Sequence, residues 1–207
     1  MTTAPEAPAP SAPASRRVRS TVRRLRDGSF VRIRAVLPSD RSVIVAFLAH
    51  VSVDSLERRC FSAVTREHFA TEILGPSTSR ERVSLLVELF EHNVGPVIAH
   101  GEYDRFPSDP TRAEVAFLVA DDRQRQGAAT LLLRELAHRA AVSGIAQLEA
   151  VVLAVNRPML DVFLGSGFPC SITWHEGEGH VVIDIAHEPA SPSLPRGASC
   201  DYPLLPA

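Results

Sequence analysis

The chain has 207 residues, a formal net charge of −2 and 45% hydrophobic content. That size and content fit one compact domain with tails, and the near-neutral balance gives no global pull toward nucleic acid or a membrane surface. No apolar run approaches the roughly 20 residues needed to span a bilayer, so no membrane anchor is expected.

Residues 1–28 are Ala/Pro/Ser-rich and then Arg-rich, with no apolar face, and read as a disordered arm. Arg16-Arg17 resembles a twin-arginine signal, but Arg19, Thr21, Arg23 and Arg24 stand where an apolar segment should follow, so export is rejected. Phe30–Ala35 alternates as a half-buried strand should. Pro38-Ser-Asp40 opens a helix over Val43 to His50, with Ser39 or Asp40 as its cap. Val53–Phe61 and Arg66–Leu74 read as two further short helices. Val83–Leu89 and Pro96–Tyr103 read as strands joined through Asn93-Val-Gly95, a hairpin-type turn.

Ala113–Ala120 is the next strand, followed by a polar turn and a helix over Ala128–Ser143 that Gly144 ends. Leu148–Leu153 is another strand. Asn156 caps a helix through Leu164, with Pro158 in its first turn. Phe168–Trp174 and His180–Ile185 form a last hairpin around Gly177–Gly179. Residues from 188 read as a flexible tail, so the domain spans 29–187. The order implies a layered α/β (α+β) domain with a mixed sheet and helices on its faces.

The chemistry concentrates at the turn Gln124-Arg125-Gln126-Gly127-Ala128-Ala129-Thr130. Small residues there let a ligand approach the main chain. The first helical N–H groups lack intrahelical partners and carry the positive end of the dipole, a seat for a diphosphate. The spacing is neither G-x-G-x-x-G nor a P-loop.

Other constellations are weaker. His175 and His180, with Glu176 and Glu178, flank a turn and read as surface residues, so no metal is expected. Gly165-Ser-Gly167 is not a nucleophile elbow. Cys60, Cys170 and Cys200 are three widely spaced cysteines without a C-x-x-C pair. They read as free thiols of a reducing compartment, which places the protein in the cytoplasm. All 22 basic residues are arginine. With no lysine, the protein has no side-chain amine to be acylated.

Gln124-x-x-Gly127-x-Ala129 resembles the pyrophosphate loop of the GNAT superfamily of N-acetyltransferases. Ala150-Val-Val-Leu-x-x-Asn156-x-x-Met159 followed by Gly167-Phe168 is similar to that superfamily's fifth strand and following helix. Ala113-Glu-Val-Ala-Phe117 and Val53-Asp-Ser-Leu-Glu-Arg-Arg-Cys-Phe61 resemble the Pat-type protein lysine acetyltransferases. Together these cover about Phe30 to Ile185. The resemblance implies a mostly antiparallel GNAT sheet and direct acetyl transfer from acetyl-CoA to an amine, without an acyl-enzyme. It implies a protein bearing an exposed lysine as partner. Some Pat-type enzymes carry a cyclic-nucleotide-binding domain; 207 residues leave no room for one, so no such control is expected.

The diphosphate of CoA would sit on the amides of residues 125–130, with Arg123 or Arg125 adding charge. Pantetheine would pair against the main chain of Phe117, Leu118 and Val119, provided that edge splays from the next strand. Asn156 would reach pantetheine, cap its helix, or both. Glu114 matches the general base of the Pat-type enzymes; burial beside Val115–Val119 would make its carboxylate a better proton acceptor. The alternative is a strand-end glutamate paired with Arg112. Many GNAT enzymes use a tyrosine as general acid four residues before the Gly-Phe pair; here that residue is Phe163. Three rival readings stand beside protein lysine acetylation: a small-amine acetyltransferase, a non-catalytic acyl-CoA-binding regulatory module, and a nucleic-acid-associated protein acting through the arginine arm.

Overall fold

The computed structural model describes residues 20–75, 81–90 and 95–186. The chain runs through strands β1 (Thr21–Arg24) and β2 (Phe30–Ala35), and helices α1 (Arg41–Leu48), α2 (Val53–Cys60) and α3 (Arg66–Ile73). Then come β3 (Arg82–Leu89), β4 (Val97–Phe106), β5 (Asp109–Val119), α4 (Ala128–Val142), β6 (Gln147–Leu153), α5 (Arg157–Leu164), β7 (Cys170–His175) and β8 (Glu178–Asp184). Single 3₁₀ turns precede α1 and follow β5. One sheet orders the strands β1-β2-β3-β4-β5-β6-β8-β7, antiparallel everywhere except between β5 and β6. The α/β layering and mostly antiparallel sheet follow the sequence expectation.

Each face of the sheet buries its own apolar cluster. Ala113, Val115 and Phe117 of β5 point toward α4, where Leu132, Leu133 and Leu136 form the inward stripe. Leu118 points the other way, with Ile44 and Phe47 of α1 and Phe69 and Ile73 of α3. Full burial of each such side chain contributes about 1.5–3 kcal/mol. The helix α4 lies so near β4 that a Cβ on Gly101 would come 2.9 Å from Phe117 and 3.2 Å from Leu132. Only a residue without a side chain fits there.

Three differences from the sequence expectation have physical causes. The reading of 1–28 as an arm is corrected over its end: Thr21–Arg24 pairs antiparallel with β2, and Leu25 is buried. An edge strand needs no apolar face, which is why it was hidden. Asp40 precedes α1 but does not cap it with its side chain. Its carboxylate instead accepts from the Leu37 N–H at 2.7 Å and from Arg34 at 2.6 and 2.9 Å. The β4–β5 hairpin is longer than the apolar runs, continuing through polar residues to Phe106 and back from Asp109. Residues 1–19, the turn residues Asn93-Val94 and the tail from 188 lie outside the described residues.

Candidate active site

The site begins where two parallel strands part. Pairing between β5 and β6 covers only Arg112↔Gln147, Ala113↔Leu148 and Glu114↔Glu149. Beyond that register β5 runs on to Val119 against β4 alone, and β6 runs on to Leu153 against β8. The wedge between them exposes one main-chain edge of residues 115–119. An extended ligand with amides can pair there as a strand would. This is the splay on which the expectation for Phe117, Leu118 and Val119 depended.

A cavity of about 850 Å³ fills the wedge. It is lined by Glu114 to Val119, Ala150 to Val152, the turn residues Arg123 to Arg125 and Gly127 to Thr130, and Asn156 to Met159 of the α5 start. Among the described residues six arginines line it, namely Arg26, Arg58, Arg59, Arg123, Arg125 and Arg157, against the two carboxylates Glu114 and Asp161. It is therefore built for an anion.

The anion seat lies at the start of α4. The turn reverses sharply, with Arg125 at φ 63° and Gly127 at φ 97°. Gly127 precedes the helix without a side-chain cap bond. The opening amides of α4 thus keep their donors for a ligand, and no Cβ stands in front of them. Of the expected binding residues, all but Gln126 line the cavity. Gln126 belongs to the same turn; its Oε1 is buried without a partner, and its carbonyl accepts the Arg26 N–H.

Helix α2 closes the opposite side. Ser52 caps it, accepting from the Ser55 N–H at 3.2 Å. Asp121, in the turn before the anion seat, accepts from the Ser52 N–H at 3.2 Å and from Ser55 Oγ at 2.8 Å. Burial works against the charge on Asp121, but these bonds and nearby Arg58 outweigh it and hold the carboxyl below its ordinary value. One carboxylate thereby locks α2 to the anion seat. Farther along, Arg59 donates to Glu102 at 2.6 Å, and Arg82 also pairs with Glu102.

Glu114 sits at the apex of the wedge. Its expected burial is corrected: the side chain is exposed. Successive strand residues face opposite sides, so its apolar sequence neighbours Val115 and Phe117 are buried on the far face. The alternative pairing with Arg112 does not form either. Arg112 bonds Glu149, whose other oxygen lies 3.0 Å from His180 Nε2. Glu114 has neither a hydrogen bond nor an ion pair among the described residues.

Asn156 opens α5 without a side-chain cap bond, against the capping expectation. Pro158 has no N–H to offer, and the Met159 N–H is taken by the Asn156 carbonyl at 3.1 Å. The Asn156 amide is thus left for the cavity it lines. Phe163, where the tyrosine acid would stand, is 1% exposed and packs on Phe117 with ring centroids 6.0 Å apart. Sequence reading overlooked Arg26, assigned to the arm, and Arg58 and Arg59 of α2 with Phe61 just after it, which form the cavity wall. Asp27-Gly28 is a hairpin-turn signal, with Leu25 shortly before it and Phe30-Val31 shortly after, that could have found the first.

A family model described as the acetyltransferase (GNAT) family matches residues 50–168. Acetyltransferase Pat of Mycolicibacterium smegmatis is 30% identical over 135 residues, which span 65% of this chain but only 40% of that protein. Among solved structures, the GNAT domain of S. lividans PAT aligns with a TM-score of 0.69 at 29% identity, over 80% of this chain and 96% of that one. The cAMP-binding acyltransferase from Mycobacterium smegmatis aligns with a TM-score of 0.56 at 26% identity, over 81% of this chain and 48% of its own.

Proposed function

The chain belongs to the acetyltransferase (GNAT) family, and we propose that it transfers acetyl directly from acetyl-CoA to the side-chain amine of a protein lysine. The observation that carries this reading is the unpartnered carboxylate of Glu114 at the apex of a wedge whose wall is an open strand edge and whose far end is an anion seat.

Acetyl-CoA supplies the thioester carbonyl that an amine attacks. The α4 start, Arg123 and Arg125 suit its diphosphate, the β5 edge over Phe117–Val119 suits its pantetheine amides, and Asn156 offers one further polar group. A lysine amine, with an ordinary pKa of about 10.4, arrives as ammonium. Glu114 takes its proton, directly or through water, and frees the lone pair. The N–C bond forms as the C–S bond breaks, the thiolate leaves, and the second proton of the nitrogen passes to water or to that thiolate. Phe163 has no proton to give it; a thiolate is a fair leaving group without one.

The charges favour a lysine over a polycationic small amine. A polyamine site needs several unneutralised acids facing the cleft. Glu88 is held by Arg32 and Arg34, Glu102 by Arg59 and Arg82, and Glu149 by Arg112 and His180. None of these three is among the residues that line the cavity, where arginines dominate. We also place the protein in the cytoplasm, a reading supported by the free thiol of Cys60.

The test is mass spectrometry for acetyl-lysine on host extract incubated with acetyl-CoA and the protein, beside a panel of small amines. Because the chain has no lysine, every acetyl-lysine signal belongs to an acceptor. Rapid turnover of a small amine, without acetyl-lysine above a Glu114→Gln control, would replace the lysine reading. CoA binding without CoA release on any acceptor would favour a non-catalytic module.

A further inference from the structure

We propose that Arg26, at the corner between β1 and β2, forms an outer wall of the anion seat and binds the diphosphate of the acyl-CoA. This rests on the reading of the cleft as an acyl-CoA site. It adds to that site a residue from a separate segment, about a hundred positions before the loop.

The corner is tied to the loop through the main chain. The Arg26 N–H donates to the Gln126 carbonyl at 3.0 Å. The side chain then runs along Gly127: a Cβ on Gly127 would lie 3.5 Å from Arg26 Cγ and 3.7 Å from its Nε. Arg26 lines the same cavity as Arg123 and Arg125. The corner itself is firmly built. Leu25 is 4% exposed, its N–H donates to the Ser29 carbonyl at 2.9 Å, and Asp27 accepts from both the N–H and the hydroxyl of Ser29.

Charge then identifies the ligand. A helix start carries the positive end of the dipole, so a cation there is disfavoured unless an anion joins it. Arg26 and Arg125 both stand beside the start of α4, and among the described residues no carboxylate pairs with either. Neighbouring Asp27 is engaged with Ser29, which holds its carboxyl below the ordinary value. A diphosphate seated on the opening amides supplies the missing negative charge. Its packing against Gly127 puts Arg26 beside the opening amides of α4, which is why it is assigned to the diphosphate rather than to the 3′-phosphate of CoA.

The test compares Arg26→Ala and Arg26→Lys with the unaltered protein. Calorimetry with CoA and dephospho-CoA is combined with turnover of S-acetylpantetheine, which lacks the diphosphate. Arg26 is exposed, and alanine keeps the N–H bond to Gln126, so both variants should fold; thermal melting checks this. Expected are roughly tenfold weaker binding of both CoA and dephospho-CoA by Arg26→Ala, a smaller loss for Arg26→Lys, and unchanged S-acetylpantetheine turnover. Undiminished CoA binding by Arg26→Ala overturns the inference and leaves the acyl-CoA reading intact. A loss seen with CoA but absent with dephospho-CoA overturns it in favour of the 3′-phosphate. An equal loss with S-acetylpantetheine overturns it in favour of a purely structural corner. Failure of the unaltered protein to bind CoA sinks the acyl-CoA reading itself.

Discussion

Glu114 and Glu149 are the last paired residues of the parallel strands β5 and β6, and their carboxylates have opposite surroundings. Glu149 is 5% exposed and held between Arg112 and His180. Glu114 is exposed and holds nothing. Placing Arg112 on Glu149 leaves its neighbour free for chemistry at the point where the sheet opens.

Glu114→Gln is therefore expected to fold, to keep its CoA affinity and to lose turnover by about a hundredfold or more, the usual contribution of a positioned base. The carboxylate makes no structural bond, so the melting temperature should stay within a degree or two. Steady-state kinetics beside CoA calorimetry checks this. A kcat near that of the parent would remove Glu114 from the reaction.

The corner at Leu25 gives a stability prediction where the sequence suggested a dispensable arm. Leu25 packs in the core beneath β1 and β2. Leu25→Ala should cost about 2–5 kcal/mol through lost burial and the cavity left behind. For a domain of this size that lowers Tm by roughly 5–15 °C. Deleting residues 1–28 should be at least as damaging, since it removes β1 as well. Differential scanning calorimetry decides, and an unchanged Tm for either variant would mean that the corner contributes nothing.

The contrast between these sites shows what the chain makes legible. The β5–turn–α4 unit is readable because its strand, its small turn residues and its helical stripe are each local patterns. So is the order of elements. The wedge is not local: it depends on where β5 stops pairing with residues 35 positions later, at Glu114↔Glu149, which only the register shows. Glu114 shares its strand face with Ala116 and the buried Leu118, and its exposure was misread because it stands where β5 and β6 part. The β1 corner was hidden because Arg23 and Arg24 make an edge strand resemble a solvated tail.

Gly127→Glu should abolish CoA binding in a folded protein. At φ 97° any side chain is strained, and a carboxylate there would lie among the donors meant for phosphate. The Cβ itself would make only ordinary contact with Arg26 Cγ, at 3.5 Å. Gly127→Ala separates the two effects: it keeps the strain without the charge and should weaken CoA only in part. Undiminished CoA affinity of Gly127→Glu by calorimetry would move the anion seat elsewhere.

His100 gives the protein an acid-sensitive core. It is fully buried on β4; Nε2 lies 2.8 Å from Ser84 Oγ, and Nδ1 has no partner. Burial is the main force that pushes its pKa down from 6.5 to about 4; Glu102, 3.9 Å away, opposes this, while Arg59 and Arg82 add to it. The folded value lies below the unfolded one, so between these pH values the unfolded chain binds more protons. Stability from neutral His100 is complete above about pH 6.5, falls as the pH drops toward 4, and falls no further below that. The loss across this window is on the order of 3 kcal/mol. Carboxylates titrate near its lower end, so the measurement is a difference: urea unfolding at pH 7, 6, 5 and 4.5 for the parent and for His100→Gln, which cannot take the proton. The parent should lose more stability on acidification than the variant, starting near pH 6.5. Parallel stability curves would show that His100 is not the group that senses acid.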